Sequence, residues 1–453
     1  MPDATLLDPL APASVRRALA DAARRARRSG AAPVARVEVP VEAMDPLAWL
    51  AVQPHGRRFF WEGREEKASR AAAGEALVVE ADSLDALTEA LAPHLDGLPD
   101  GARFFGYARF APDAAPDAAW AAFGRVRFAL PRFELRADGG GATLALHLTE
   151  GDDEQALTAA LDALVFSSAP LAQVLPAPMG RTDAPDEVGW HEAVTWALRR
   201  FEEGPLEKVV LARCSRFTFD APLDPFALLG HLRAATPGGY RVLVEAGEAA
   251  FSSVTPERLL RVDGREVMTE AVAGTRPRGR EDAADRRLRA ALLGSEKDLR
   301  EHAYVRDAVA AALAPLTERL DRDGAPSTLA GAGVRHLYTR LRGTLREGAS
   351  ALDVLRALHP TPAVGGTPAE AARAAIRRME PFDRGLYAGP VGWVGRDAAE
   401  FAVGIRSGLV HGRVLDLFSG AGIVAGSDPA EEWAEIEHKL GDFLRVLGLG
   451  DGA

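Results

Sequence analysis

The chain has 453 residues, 47% of them hydrophobic and 26% charged, the balance of a folded globular protein with a sizeable core rather than a disordered one. A formal net charge of -11 argues against a nucleic-acid partner, because phosphate-backbone binding needs Lys and Arg clustered on a basic face. No long apolar run predicts a membrane span, the start "MPDATLLDPLAP" predicts a cytoplasmic protein without a secretory leader, and the single cysteine, Cys214, excludes both an internal disulfide framework and a Cys-based zinc cluster.

In chain order, the Arg/Ala-rich "VRRALADAARRARRSG" predicts a helix with a solvated face, since Asp3, Asp8 and Asp21 speak against an organellar presequence. Short strands follow in "RRFFWEGR" and "ARFFGYARF", and the helix "DDEQALTAALDALVF" closes residues 1–165. The next stretch, "SSAPLAQVLPAPMGRTDAPDEVGW", has four prolines and no periodicity and predicts a crossing between two halves. An amphipathic helix around Trp190 to Phe201 leads into "LEKVVLAR". Side chains alternate across a strand, so Leu206, Lys208, Val210 and Ala212 share one face. A lysine in that company is either a buried stem whose ammonium reaches solvent or a functional amine made easier to deprotonate by its apolar setting.

Beyond it the pattern predicts a helix near 224–235 and strands in "YRVLVEAG", "AAFSSV", "RLLRVDG" and "REVMTEAVAGT". A long helical block spans roughly 282–315, "VRHLYTRLRGTL" follows, and a helix covers about 351–358. After "HPTPAVGG", Thr367 and Glu370 around Pro368 read as a capping box opening another helix. The tail is strand-rich and ends in a helix from Pro429 to about Leu447. Strands in hairpin-like runs, without strict strand–helix alternation, predict an α+β fold with large antiparallel sheets.

Several constellations could carry chemistry. The last helix places Glu432 and Glu435 three residues apart beside its apolar stripe, and "SEKDLREH" does the same with Asp298 and Glu301. Each pair is either solvated helix surface or, if the two meet across a cleft, a set of oxygen ligands for Mg²⁺. "GAGIVA", residues 420–425, matches a dinucleotide fingerprint in letters but lacks the second strand of such a unit. What remains is a glycine loop whose backbone N–H groups approach an anion. Gly274 and Thr275 in "EAVAGTRPRGR" suggest another close-approach turn. Arg406 in "FAVGIRSGLV" is a cation in an apolar strand, suited to a carboxylate of the protein or of a ligand.

Taken together and in order, "LEKVVLAR", "TPERLL", "TEAVAGTRPRG", "SEKDLREH", "LHPTPAVGG", "GLYAGPVGW", "FAVGIRS" and "GAGIVAGSDPAEEWAEIEHK" resemble the chorismate-utilising enzymes, over residues 188–445 above all. The family comprises isochorismate synthases, salicylate synthases and the large subunits of anthranilate and aminodeoxychorismate synthases. Residues 1–165 resemble it less, although "DPLAWLAVQPHGRRFFWEGREE" is similar to the opening segment of isochorismate synthases of menaquinone biosynthesis.

The resemblance implies one domain over residues 1–453, an α/β sandwich of two large, mostly antiparallel sheets with helices outside. It implies conversion of chorismate to isochorismate, for menaquinone or a siderophore, by Mg²⁺-dependent addition of water at C2 with loss of the C4 hydroxyl. By motif, Lys208 would be the general base, Glu257 the acid at the C4 hydroxyl, and His359 a neighbour of the reacting centre. Glu301 and Glu435 would hold Mg²⁺, with Asp298 and Glu432 helping through waters. Arg406, Tyr387 and the backbone of Ala421 and Gly422 would hold the enolpyruvyl carboxylate, and Gly274, Thr275 and Lys439 would line the ring side. Ala363 stands where amine-transferring and salicylate-forming relatives usually carry threonine, which favours water as nucleophile. No membrane and no glutaminase subunit are expected, and the protein would be a monomer or homodimer. Salicylate synthesis, an anthranilate synthase subunit, and a non-catalytic anion- and metal-binding protein are the other readings.

Overall fold

A computed structural model of the chain describes residues 12–29, 33–54, 56–65, 68–277, 279, 281–330 and 334–450, with the side chains of residues 26–29, 275, 277 and 334 outside that description. The strand Val126–Ala137 forks the sheet. Along one edge it pairs with Ser69–Ala81. Along the other, its first residues pair with Phe104–Ala108 and its last with Ala142–Thr149, which in turn pairs with Val34–Val41. Pro131 stands between the two stretches, and a proline supplies no N–H to a ladder, so the edge is divided where it sits.

From this fork two arms run out, and every described pairing in them is antiparallel. One passes through Arg58–Glu62, Tyr240–Ala246, Ala249–Thr255, Ser407–His411 and Val414–Val424 to Lys208–Phe219, with Pro178–Ala184 and Gly366–Thr367 beyond. The other passes through Pro390–Val394, Ala398–Val403, Arg258–Asp263 and Glu266–Pro277 to Val334–Leu345, which also carries Thr317–Arg322 and Ser327–Ala330. The halves of the chain interlock, because Arg58–Glu62 pairs with Tyr240–Ala246 and Phe104–Ala108 with Pro390–Val394.

The arms pack face to face as the expected sandwich. Phe59, Trp61, Phe251 and Phe418 of one arm share a buried core with Phe105, Tyr107 and Phe401 of the other, and the Phe59 and Phe105 rings lie 5.3 Å apart. A second core covers the outer face of the first arm, where Phe60, Leu243 and Leu417 meet Leu19, Leu229, Leu440 and Phe443 from the helices. Burying each such side chain is worth roughly 1.5–3 kcal/mol. The last helix, Pro429–Val446, starts where expected: Asp428 accepts from Ala430 N and Glu431 N, and Pro429 takes the first turn, where its missing N–H costs nothing.

Four local expectations change. The proline-rich crossing contains the strand Pro178–Ala184, mostly exposed and therefore without apolar alternation. The helical block divides at Gly294 into Asp282–Leu293 and Glu296–Leu313. Thr317–Arg322 and Ser327–Ala330 are strands whose solvated sequences conceal them. Thr367 caps nothing: it pairs with Lys208, while Pro368 precedes the helix Ala369–Met379 without a side-chain cap.

Gly366 marks how tightly this edge grips the lysine strand. Its φ of 144° is open to glycine alone, and a Cβ there would stand 2.2 Å from the Lys208 carbonyl oxygen. Gly366→Ala should therefore lower the thermal midpoint, with about 1–3 kcal/mol lost to backbone strain before any clash is counted. An unchanged melting curve by circular dichroism would contradict the pairing.

Candidate active site

The site is built on the ladder between Lys208–Phe219 and Val414–Val424. Register sets Val210 opposite Gly422, Ala212 opposite Gly420 and Lys208 opposite Val424, so these side chains share one face. Val210 N donates to Gly365 O and Ala212 N to Glu380 Oε1, both away from Val414–Val424. Antiparallel alternation then turns Leu211 N–H toward Ala421 and leaves the amides of Gly420 and Gly422 pointing to the far edge. Ser407–His411 covers that edge only as far as Phe418. Arg406, before it, takes a left-handed φ of 48°, and past Phe418 the edge opens into a cleft.

The glycine segment is thus a strand rather than a loop, and the Ala421 amide is committed to the ladder. The Val424 amide, on the same side, donates to Ser427 Oγ, while those of Gly420 and Gly422 face the open edge. Their missing side chains make the room: a Cβ on Gly422 would lie 2.2 Å from Glu301 Oε1 and 3.2 Å from Lys208 Cε, and one on Gly420 2.7 Å from the Tyr387 hydroxyl.

The cleft encloses about 730 Å³ of space, part of it open to solvent. Glu257, Gly274, Ala363, Tyr387, Arg406, Gly422 and Lys439 line it, together with Glu301 and Glu435. Lys208 is fully buried, its Nζ 3.1 Å from Glu301 Oε1, an ion pair whose angles fall short of a hydrogen bond. The expectation of an isolated amine on an apolar face did not include this partner. Burial pushes the Glu257 carboxyl up to about 7; the Glu270 charge adds to the rise, and Lys208 and Lys439 oppose it. Burial lowers the Arg406 guanidinium against the pull of Asp442 and Glu435. Lys439 Nζ donates to Gly420 O at 2.8 Å and pairs with Glu435 at 2.7 Å.

One member of each acidic pair reaches the cleft. Helix Glu296–Leu313 brings Glu301 and helix Pro429–Val446 brings Glu435 to the same cleft. Behind them Lys297 Nζ donates to Glu432 at 2.8 Å, and the charges of Glu432, Glu301 and Glu435 all favour its ammonium. Burial, then the Glu435 charge, raises Glu432. Carboxylates from two helices that converge on a cation are a hard-oxygen set of the kind Mg²⁺ prefers, and they fit such an ion. Among the described residues no three donors form a closed cage, which a metal bound through one or two carboxylates plus water does not need.

Other expected residues stand elsewhere. Asp298 and Glu432 do not line the cleft: Asp298 pairs with Arg276 at 2.9 Å, and Glu432 with Lys297. His359 is also outside it. As the residue ending helix Ala351–Leu358, it packs its ring edge-on to Phe110, Nε2 3.3 Å from Phe110 O, and burial holds it down to about 4. Gly274 is a bulge inside Glu266–Pro277, not a turn, with φ 72° and helix Glu296–Leu313 close against it. The side chain of Thr275 lies outside the described residues.

Two groups were missed. His336, opposite Thr275 in the next strand, lines the cleft, and burial pushes it down to about 3. Glu270 lies behind Glu257 with a fully buried side chain. Alternation in "TEAVAGT" sets Glu270 on the face opposite Thr269, the one signal that could have singled it out.

A family profile described as "Chorismate binding enzyme" matches residues 18–448. Isochorismate synthase MenF of Bacillus subtilis (strain 168) is 32% identical over 433 residues, covering 90% of this chain and 92% of that protein. The chloroplastic isochorismate synthase 2 of Arabidopsis thaliana is 36% identical over 359 residues, 76% of this chain, and the match spans 64% of its length. In fold, the chain is similar to MenF, the menaquinone-specific isochorismate synthase from Escherichia coli, with a TM-score of 0.82 and 32% identity over 95% of this chain and 99% of that one.

The raised Glu257 carboxyl has a cost that can be measured. The folded state holds its proton more tightly than the unfolded state, so the stability it contributes is full below pH 4.5 and is lost as pH rises through about 7. Glu257→Gln carries no charge to bury. It should be more stable than the parent above pH 7, by about 3 kcal/mol at most, and indistinguishable from it near pH 4. Denaturant unfolding at the two pH values checks this; equal stabilities at pH 8 would refute it.

Proposed function

The chain belongs to the chorismate-binding enzyme family, and on that premise we propose that it converts chorismate to isochorismate, with Lys208 and Glu257 as its base and acid. One observation carries the reading: Glu257, its carboxyl held to about 7, lines the cleft together with Glu301, and the fully buried Lys208 reaches that Glu301 at 3.1 Å, so that a proton donor and an amine stand at one site. Lys208 takes a proton from the water that attacks C2. The ring double bond shifts, and Glu257 protonates the C4 hydroxyl as it departs as water. One water enters and one leaves, so the reaction is an isomerisation.

Arg406 and the Tyr387 hydroxyl, with the outward amide of Gly422, hold a substrate carboxylate by charge and hydrogen bonds. Lys439 lies on the ring side. Ala363 adds only a methyl to the wall, which leaves space for water. Glu301 and Glu435 would hold Mg²⁺, with Asp298 and Glu432 supporting from behind. Bound there, the ion supplies Lewis-acid and orienting chemistry toward the ring carboxylate. His359, turned to Phe110, has no part in this reading.

Because water is the nucleophile, the chemistry calls for no ammonia-supplying partner. The reading treats residues 1–453 as one catalytic domain, supported by the strand pairs that join the two halves, and places the protein in the cytoplasm. Among the described residues no helix is long and apolar enough to cross a membrane.

Purified protein with chorismate and Mg²⁺ should yield isochorismate by liquid chromatography and none when EDTA is present. Lys208→Ala should keep its circular dichroism spectrum and lose about 100-fold or more in turnover. Salicylate as the main product, or anthranilate from ammonium salts, would overturn the assignment to water addition. Unchanged turnover in Lys208→Ala would remove the lysine from the mechanism.

A further inference from the structure

The loop that carries Glu257 is held at both ends by one carboxylate. Before the acid, Arg64 Nη1 donates to Pro256 O at 2.9 Å and to Glu270 Oε2 at 2.9 Å, so one guanidinium ties the loop backbone to Glu270. After the acid, Arg258 Nη1 donates to Glu270 Oε1 at 3.0 Å, and Arg258 Nε donates to the Tyr240 hydroxyl at 2.8 Å. The Tyr338 hydroxyl completes the set by donating to Glu270 Oε1 at 3.2 Å. Glu270 has a fully buried side chain, and Arg258 is almost as deeply enclosed. The two arginines also pair with Glu65 and, through Arg258, with Glu400, yet Glu270 is the carboxylate that both share with its side chain fully buried, and through Arg64 it is tied to the backbone of the acid's loop.

We propose that Glu270 is a positioning residue for Glu257: gripped by Arg64 and Arg258, its carboxylate fixes the loop that carries the acid and keeps a negative charge behind it. This rests on the reading of Glu257 as the proton donor and adds to it a residue from the middle of the bulged strand and one, Arg64, from the N-terminal part of the chain. A charge in that place keeps the donor protonated at working pH, a task burial begins and Glu270 reinforces.

Other charges also face the acid. Lys208 comes from its strand and Lys439 from the last helix, and both draw the proton off. Glu301, Glu435, His336, Tyr387 and Arg406 look into the same cleft from the remaining walls. These groups are retained in a Glu270 variant, while Arg64 and Arg258 keep Glu65 and Glu400 as partners and lose Glu270, so a downward shift there reports removal of the Glu270 charge together with its pairing.

The test is the pH dependence of turnover together with a direct titration of the Glu257 carboxyl by infrared difference spectroscopy, its band assigned by loss in Glu257→Gln. In Glu270→Gln the titration midpoint and the alkaline limb of turnover should both fall, by about one pH unit. In Arg64→Met the Glu270 charge is less compensated, so both should move upward while turnover drops through the loosened loop. Loss of turnover in both variants with an unmoved midpoint would reduce Glu270 to a structural ion-pair partner and overturn the proposal. If Glu270→Gln does not fold, Arg64→Met decides by the same titration, an unmoved or lowered midpoint counting against it. The infrared titration needs no substrate. Wild-type protein inert toward chorismate would therefore defeat the functional reading while the Glu270 effect is still decided.

Discussion

Charges withdrawn from water are the constraint around which this molecule is arranged. Removing an ammonium or carboxylate from solvent costs several kcal/mol unless opposite charge and hydrogen bonds replace the lost hydration. The cleft is lined by Glu257, Glu301, Glu435, Arg406 and Lys439, with Lys208 buried against Glu301. Four of these six pair among themselves, Lys208 with Glu301 and Glu435 with Lys439, and behind them Asp298 pairs with Arg276 and Glu432 with Lys297. Glu257 is the exception in kind, its burial answered by a higher proton affinity instead of by a guanidinium. Glu270, by contrast, is held by two guanidinium groups, so the structure treats these two neighbouring buried carboxyls differently.

Holding such a set requires a rigid frame, and the forked sheet supplies one. Because both arms descend from Val126–Ala137, they belong to one continuous ladder, and the loop bearing Glu257 bridges them, leaving Ala249–Thr255 on the arm of the Lys208 strand and entering Arg258–Asp263 on the other. The acidic helices are pressed onto this frame from outside. Helix Pro429–Val446 docks Leu440 and Phe443 into the second core, and that packing carries Glu435 to the cleft edge. Its Trp433 also lies under the Arg213 guanidinium, 4.2 Å from ring centre to cation, a contact that joins this helix to the lysine strand five residues beyond Lys208.

What the sequence makes legible follows from the reach of its signals. Alternation in "LEKVVLAR" correctly sets Lys208 on the face it shares with Val210, and three-residue spacing correctly puts paired carboxylates on the edges of two helices. Both are local patterns. The partner of Lys208 is not local: Glu301 is brought to it by tertiary packing, and no periodicity in either segment predicts that pairing. Glu270 was overlooked for the same reason, since its meaning comes from Arg64 and Arg258, each far from the other in sequence. Glycine misled in a different way. "GAGIVA" reads as a loop because glycine is poor in strands, yet here the strand needs residues without side chains where other groups fill the space. His359 was assigned by likeness of motif, and the structure turns it to Phe110.

The same reasoning explains why the cleft lies where it does. A sheet edge offers unpaired amides, which proteins ordinarily cover. Here Ser407–His411 covers Val414–Val424 only to Phe418, because Arg406 adopts a left-handed backbone that a non-glycine residue holds at a cost of about 1–3 kcal/mol. That bend does two things at once. It bares the amides of Gly420 and Gly422, and it keeps the Arg406 guanidinium at the same cleft, so hydrogen-bond donors and positive charge converge at one point. A carboxylate is the ligand group that satisfies both. On the proposed reading, strain at a single residue thereby serves an anion site inside a protein of net negative charge, whose overall field would otherwise repel an anionic substrate.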